Sequence, residues 1–297
     1  MTREGIVVVG GALVDVRATT GARWAPGRSL PGTARLLAGG AARNVAVDLA
    51  RLGHRVTLLT AVGEDPLGGW LLEITAAAGV DVTRAVRTAG RTGLYVTVGP
   101  EGRDPWCIAD AGSVEALVPA DLEPWQDVVA SAAIVASDAN LSEDTHRALA
   151  GMARNTPRAL LATSPDKAVR LRAVLEGAVV VVCNRAEALA LTGLPGTLSW
   201  QALGMALLTD GVERVVVTQG TGGVGIVTSE EAVAVPVLDV PIVDATGAGD
   251  AVAAVAVHAY LARLAPDRTA DLAAAAAAVV VQSDENTPGA LAAILSR

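Results

Sequence analysis

Residues 132–183 read AAIVASDANLSEDTHRALAGMARNTPRALLATSPDKAVRLRAVLEGAVVVVC. Three short apolar runs stand in this stretch, at 132–137, 158–163 and 178–183. Their length and β-branched content predict buried strands. The intervening segments 142–154 and 166–175 carry helical spacing. Strand, helix, strand, helix, strand in strict alternation predicts a parallel sheet joined by right-handed crossovers. The same alternation extends outward in both directions. Toward the N-terminus, Ile6–Val9 reads as a strand closed by Gly10-Gly11. Gly39–Leu52 reads as a helix stopped by Gly53, Arg55–Val62 as a strand and Pro66–Ala78 as a helix. Toward the C-terminus a helix near 198–209 precedes a strand at 213–218, a hairpin at 223–238, helices at 248–263 and 267–281, and a short helix from 288. Two segments interrupt the pattern. Residues 12–38 lack helical periodicity, and 92–109 read as two short strands around a Gly-Pro-Glu-Gly turn. Together they predict a small antiparallel sheet off the main body. A single α/β domain spanning 1–297 is expected.

The composition narrows what such a domain does. The chain has 297 residues, 52% hydrophobic and 18% charged, which excludes a disordered chain. Aromatic residues make up 2% and Phe is absent, so the core must be built from Ala, Val and Leu. The formal charge is 23 − 31 = −8, which argues against a nucleic-acid partner. Lys167 is the only lysine. Cys107 and Cys183 lack metal spacing and read as buried small hydrophobes. The opening MTREGIVVVGG is too short an apolar run for a signal peptide, and the Ala/Val stretch 272–281 is too short to span a bilayer. A cytoplasmic protein without a membrane partner is expected.

The chemistry concentrates in two places. Asp244-Ala245-Thr246-Gly247-Ala248-Gly249-Asp250 precedes an Ala/Val-rich helix. Gly247, Ala248 and Gly249 at a helix start offer unpaired N–H groups and the positive dipole end, an anion hole for a phosphoryl group. Asp250 in that first turn can accept a proton from a hydroxyl. The bland alternative is a Gly-rich turn with Asp250 as a dipole partner. The second place is Leu37-Ala38-Gly39-Gly40-Ala41-Ala42-Arg43-Asn44. Gly39-Gly40 would let a polyol approach the backbone, and Asn44 would bond its hydroxyls. Asp15, after the first strand, can accept two neighbouring hydroxyls, or it is a plain turn residue. The spacing G-x-G-x-x-G of a dinucleotide turn is missing.

This pair of motifs resembles the PfkB (ribokinase-like) family of sugar and nucleoside kinases, from Ile6 to about Pro288. The resemblance implies a three-layer α/β/α sandwich with a central, mostly parallel sheet and a small β lid at about 12–38 and 92–109. It implies ATP and Mg²⁺ as cofactors, with K⁺ a further candidate, and a small-molecule nucleoside or sugar as substrate. Asn184-Arg185-Ala186-Glu187 matches the family's N-x-x-E motif, so Asn184 and Glu187 would hold Mg²⁺ through waters. Thr218-Gln219-Gly220-Thr221-Gly222-Gly223 matches its nucleotide loop, giving Thr218, Gly220 and Gly223 to the nucleotide beside Thr246. Asp244 falls to a monovalent cation, and homodimerisation through the lid is implied.

Finer features resemble the pseudouridine-kinase branch of the family. Gly39-Gly40-Ala41-Ala42-Arg43-Asn44 matches its GG-x-x-R-N variant, with Arg43 either a substrate ligand or a salt-bridge partner. Asp138 and Asn140 in Ser137-Asp138-Ala139-Asn140-Leu141-Ser142, Asp110 after the lid strand, and Lys167 in Thr163-Ser164-Pro165-Asp166-Lys167 would contact the substrate. Asn286, in Ser283-Asp284-Glu285-Asn286-Thr287-Pro288, would lie near the nucleotide. The implied activity is transfer of a phosphoryl group to a ribosyl 5′-hydroxyl. Alternatives are another sugar or nucleoside acceptor, or ligand binding without catalysis. The last draws on one departure: Leu161 and Ala162 stand where the family carries an acidic residue and Pro. Asp166 is the acidic residue nearest to that gap.

Overall fold

The computed structural model describes residues 4–23, 27–100 and 106–296. The first elements are β1 (Ile6–Val9), β2 (Leu13–Thr20), β3 (Thr33–Gly39), α1 (Ala41–Arg51), β4 (Val56–Leu59), β5 (Ala61–Gly63), α2 (Pro66–Ala77), β6 (Val80–Asp81), β7 (Val86–Thr88), β8 (Leu94–Pro100) and β9 (Trp106–Asp110). Then come α3 (Gly112–Glu115), α4 (Gln126–Ser131), β10 (Ile134–Asp138), α5 (Glu143–Met152), β11 (Arg158–Leu161), α6 (Pro165–Ala168), β12 (Val180–Asn184), α7 (Arg185–Thr192) and α8 (Trp200–Thr209). The chain closes with β13 (Val215–Thr218), β14 (Val224–Val227), β15 (Ala232–Val235), α9 (Ala248–Leu261), α10 (Pro266–Val281) and a 3-10 segment, Gly289–Ser296.

The apolar runs form the middle of a nine-stranded sheet, ordered β15-β14-β13-β12-β11-β10-β1-β4-β6. Pairing is parallel from β6 to β13, and the β14–β15 hairpin adds two antiparallel strands at one edge. Strands covered on both faces must be apolar at every position, which is why they read as continuous runs. Ile6 and Val8 of β1 face α1, α9 and α10, whereas Val7 and Val9 face Leu122, Trp125 and Leu149. The result is three layers, helix on sheet on helix. Val252–Val257 of α9 are all buried. These Ala and Val side chains are short enough to let α9 lie close between α1 and α10, and this sets the N-termini of α1 and α9 side by side.

A second, four-stranded sheet is ordered β3-β2-β8-β9. It unites the two segments that broke the alternation. It is not wholly antiparallel as expected: β2–β3 and β8–β9 are antiparallel pairs, but β2 and β8 run parallel. The two hairpins are joined by a long stretch containing α1 and α2, and such a crossover, unlike a tight turn, allows parallel neighbours. The Gly-Pro-Glu-Gly turn falls partly on 101–105, outside the described residues.

Other expectations shift in detail. Arg55–Val62 is two strands in different sheets, broken at Thr60, whose buried hydroxyl donates to the Gly10 carbonyl at 2.7 Å. Gly39 ends β3 rather than starting a helix, so α1 begins two residues later. Residues 166–175 are a short α-helix followed by a 3-10 segment. Helix α7 was not anticipated. Cys183 is buried, but Cys107 lies exposed on the edge strand β9. No helix among the described residues is long and apolar enough to cross a membrane.

Candidate active site

A cavity of about 380 Å³ lies beyond the C-terminal ends of the parallel strands, under the small sheet. Its walls include Asp15, Asn44, Asn140, Lys167, Glu187 and Asp250. A second, mostly apolar cavity of about 360 Å³ runs between the β13–β14 turn and helices α9 and α10, lined by Val224, Val252, Ala274 and Ala278 among others. The two meet at Thr218 and Gly249, which line both. Asp250 stands next to that junction.

The start of α9 builds the junction. Gly247 is its N-cap in the left-handed region, at φ 87°, and a Cβ there would collide with the Asn286 carbonyl. Only glycine fits. The predicted set of donors narrows in the structure. Ala248 N–H bonds to the Ala245 carbonyl at 3.2 Å, and Thr246 N–H to Asp244 Oδ1 at 2.8 Å. Gly247, Gly249 and Asp250 lie at the helix start, where the helix ladder supplies no acceptor. Their N–H groups are the donors left for an anion. Burial pushes the Asp250 carboxyl up to about 7, against a lowering hydrogen bond from Asn44. Asn44 Nδ2 donates to Asp250 Oδ2 at 2.8 Å, so the two helix starts are joined by this bond.

The two glycines before α1 allow close packing, and only Gly40 reaches the cavity wall. A Cβ on Gly39 would collide with the Asp15 carboxylate, and one on Gly40, at φ 95°, with the Gly11 carbonyl. Asp15 is 3% exposed and its pKa is raised by burial. Its Oδ2 accepts from Asn286 Nδ2 at 2.7 Å. Asn286 is therefore a support for Asp15; it lines neither cavity, and its carbonyl lies against Gly247 at the start of α9. Arg43 does not line the cavity. It is 4% exposed, turned away from the cavity, and donates to the Ala38 carbonyl, Asn44 Oδ1, Thr75 and Thr287. It fixes the Asn44 amide so that Nδ2 points at Asp250.

Asp138 does not line the cavity either. It is fully buried and accepts from Gly11 N, Ala42 N, Asn140 N and Asn140 Nδ2, all at 2.9–3.0 Å. It ties β10 to the loop after β1 and to the first turn of α1. Asn140 and Lys167 do line the cavity, and Lys167 Nζ donates to Asn140 Oδ1 at 2.8 Å. Lys167 also pairs with Glu115 at 3.2 Å, a residue just past the small sheet. Asp110 is exposed, bonds to Gly112 N and lies off the cavity wall, where Ala109 is found instead.

On the nucleotide side, Asn184 and Glu187 form a capping box at the start of α7. Asn184 Oδ1 accepts from Glu187 N at 2.9 Å, and Glu187 Oε2 accepts from Asn184 N at 2.7 Å. Both line the cavity. Glu187 is 5% exposed, and burial pushes its carboxyl up to about 7. A buried carboxylate raised in this way is stabilised by a nearby cation. Mg²⁺ takes one or two carboxylates, phosphates and waters, so these residues fit that ion. Among the described residues no cluster of three or more His, Cys, Asp or Glu is placed to hold a metal. Gly220 and Gly223 line the apolar cavity, and Thr246 the polar one. Asp244 is engaged by Thr246 N and by the Arg17 guanidinium, so it is no open cation ligand. Leu161 and Ala162 line the cavity, whereas Asp166 is exposed and lies off it, so it does not fill the gap in the middle strand. His54 and His258 bond to each other at 2.8 Å and His146 is buried, all away from the cavity.

Sequence reasoning missed Tyr95, Thr163, Ser164 and Arg17. Tyr95 pairs with Asp15 across β2 and β8, so both side chains emerge on one face. It is the only aromatic side chain on the cavity wall among the described residues. Arg17 follows Asp15 by two positions on the same face, a period that was legible once β2 was known to be a strand.

Comparison with known proteins identifies the family and the fold. The family described as pfkB family carbohydrate kinase matches residues 3–291. Pseudouridine kinase of Escherichia coli K12 is 29% identical over 258 residues, 85% of this chain and 82% of that one. An uncharacterized sugar kinase of the same organism, YeiI, is 37% identical over 144 residues, 48% of this chain; the match spans 40% of YeiI's own length. Among solved structures, ribokinase from Thermotoga maritima superposes with a TM-score of 0.86 at 22% identity, covering 99% of this chain and 100% of that one. The fold is ribokinase-like.

Proposed function

The chain belongs to the pfkB family of carbohydrate kinases, and from that premise we propose that it transfers the γ-phosphoryl group of ATP to the 5′-hydroxyl of a ribosyl acceptor, with pseudouridine as the preferred acceptor. Kinases of this family are phosphotransferases acting on sugar or nucleoside hydroxyls. The observation that carries the reading is the junction of a polar and an apolar cavity at Gly249, with the Asp250 carboxylate beside it. In-line transfer needs an acceptor on one side, a nucleotide on the other, and a base and an anion hole between them.

Each side chain then has a part. Asp15 and Asn44 accept and donate to ribose hydroxyls. Asp250 takes the hydroxyl proton, and the Gly249 and Asp250 amides hold charge on the moving phosphoryl group, a contribution of several kcal/mol. Thr218, Gly220 and Gly223 follow the phosphates, and the apolar cavity takes the adenine face. Glu187 and Asn184 would hold Mg²⁺ through its waters, and the bound ion would neutralise phosphate charge. Pseudouridine is favoured by Tyr95 as a stacking surface for a base, by the amide and ammonium of Asn140 and Lys167 for its polar edge, and by the likeness to the E. coli enzyme. The small sheet acts as a lid that excludes water. Its outer face pairs two copies into a dimer, and an ATP-dependent activity of this kind suits the cytoplasm.

Leu161 and Ala162 on the cavity wall favour a second reading, ligand binding without turnover. ADP release with Mg-ATP and a panel of pseudouridine, uridine, adenosine, ribose and fructose separates the readings. Pseudouridine alone stimulating release supports the proposal. Another acceptor doing so keeps the chemistry and discards the substrate. Binding by calorimetry with no turnover selects the second reading.

A further inference from the structure

The inner face of the small sheet carries its positive charge in one row. Arg17 of β2 stands opposite Arg35 of β3, two positions along from Asp15. Both arginines reach the loop that follows α10. Arg35 Nη1 meets Asp284 Oδ2 at 2.6 Å in the open. Arg17 goes deeper, its side chain only 15% exposed. One nitrogen of its guanidinium bonds to Asp244 Oδ2 and the other to Asn286 Oδ1. Asn286, 3% exposed, passes the link on, with Nδ2 donating to Asp15 Oδ2 at 2.7 Å and to the Ala38 carbonyl at 3.0 Å. Asp244 passes it the other way, with Oδ1 accepting from Thr246 N at 2.8 Å. One guanidinium thus joins the acceptor-side carboxylate to the loop that starts α9.

Asp244 is the residue to which the family resemblance gives a monovalent cation, and here its surroundings do not suit one. Both carboxylate oxygens already accept hydrogen bonds, one of them from a guanidinium. A second positive charge would sit within a few ångström of the guanidinium and be repelled.

We propose that Arg17 is a tethered cation that takes the place of the monovalent ion. It is a positioning residue that lines neither cavity and holds Asp15 and the Gly247–Asp250 helix start in register, which makes the protein indifferent to K⁺. The inference rests on the kinase reading for its kinetic consequence alone, so the deciding measurement needs no turnover.

That measurement is thermal unfolding of the full chain in KCl and in tetramethylammonium chloride, each at about 100 mM so that screening is equal. Wild type is expected to unfold at the same temperature in both, to within about 1 °C, because no site binds the ion in the native state alone. Arg17→Ala is expected to gain about 3 °C or more in K⁺, as the vacated site beside Asp244 accepts it. Arg17→Lys keeps the charge and stays indifferent. A K⁺-specific rise in wild type overturns the proposal, as does an Arg17→Ala protein with none. If Arg17→Ala does not fold, wild type and Arg17→Lys decide alone, and a K⁺-specific rise in either is fatal. Where an acceptor is phosphorylated, wild-type kcat is equal in the two salts, and Arg17→Ala regains part of its lost kcat on addition of K⁺ or guanidinium. Failure of every acceptor removes the kinase reading and leaves the unfolding result standing.

Discussion

A base must be deprotonated to work, and Asp250 is held near the pH at which it works. With its carboxyl raised to about 7 by burial, kcat/KM is expected to rise with pH through that value and level off above it. Asp250→Asn should lower kcat by at least about 100-fold with acceptor binding retained, and the acidic limb should vanish from the residual rate. Near-wild-type kcat in that variant would remove Asp250 from its role. Stability runs the other way. The folded state keeps a proton that the unfolded chain, with an ordinary aspartate carboxyl at about 4, releases. Native stability therefore falls as pH rises from about 4 to about 7, by at most about 1.4 kcal/mol per unit. The asparagine variant has no such pH dependence. It should melt above wild type at about pH 8 and level with it at about pH 4, and equal melting at both would contradict the buried-charge account. Asp138 behaves differently, since its Oδ2 accepts from Gly11 N, Ala42 N and Asn140 Nδ2. Asp138→Asn sets an amide donor against those donors or leaves them unmet, at a cost of about 2–4 kcal/mol. A drop in melting temperature with acceptor KM nearly unchanged is expected; a raised KM at full stability would restore it to the cavity. Asp250 was legible in the sequence because its place in a helix start is local. Asp138, Arg43 and Asn286 were legible as polar residues only, since whether such a group faces a cavity or a buried network depends on strands that are distant in sequence.

Two glycines in one helix start do opposite things. Gly247 is held at φ 87° against the Asn286 carbonyl, and Gly249 is helical with open space where a Cβ would go. Gly247→Ala should lower stability by about 1–2 kcal/mol for the left-handed backbone alone, with more from the collision. Gly249→Ala should leave the melting temperature unchanged or raise it, because alanine is the better helix former by about 1 kcal/mol. Its methyl group enters the junction of the two cavities, so kcat/KM for ATP should fall by at least about tenfold. Equal destabilisation by the two changes, measured by thermal unfolding, would show that the helix start is misassigned. The element scale also explains a missed helix. Asn184 and Glu187 were read as metal-site residues, yet N-x-x-E followed by an apolar run is also a capping-box signature, and α7 begins there. One spacing serves both, because the cap fixes the carboxylate at the cavity wall. The split of 55–62 into β4 and β5 was not legible, since the break depends on the Thr60 hydroxyl meeting Gly10 across the sheet.

At the scale of the whole molecule, the main sheet was readable because its middle strands β10, β11 and β12 are each followed by a helix, and periodicity records that. The small sheet was readable only as two irregular segments, since its β2–β8 pairing depends on a crossover. Its register carries a consequence for assembly. With Asp15, Tyr95 and Ala109 on the inner face, the outer face presents Leu36, Val16, Val96 and Ile108 in one cross-strand row. The next row holds Ala34, Ala18, Val98 and Trp106. Trp106 is 77% exposed and Ile108 68%, on a strand that ends the sheet. An apolar face beside an unpaired edge marks an interaction surface. A second copy of the same sheet is the partner that a self-complementary interface requires. Sedimentation should therefore give about twice the chain mass of 29.9 kDa, and Trp106→Glu with Ile108→Glu should halve it. Because the changes point away from the cavity, the melting temperature of the separated chains should stay close to that of wild type. Acceptor KM should rise, since Tyr95 and Asp15 sit on the opposite face of strands that have lost their support. Wild type sedimenting as a single chain would end the dimer reading and leave the apolar face to another partner.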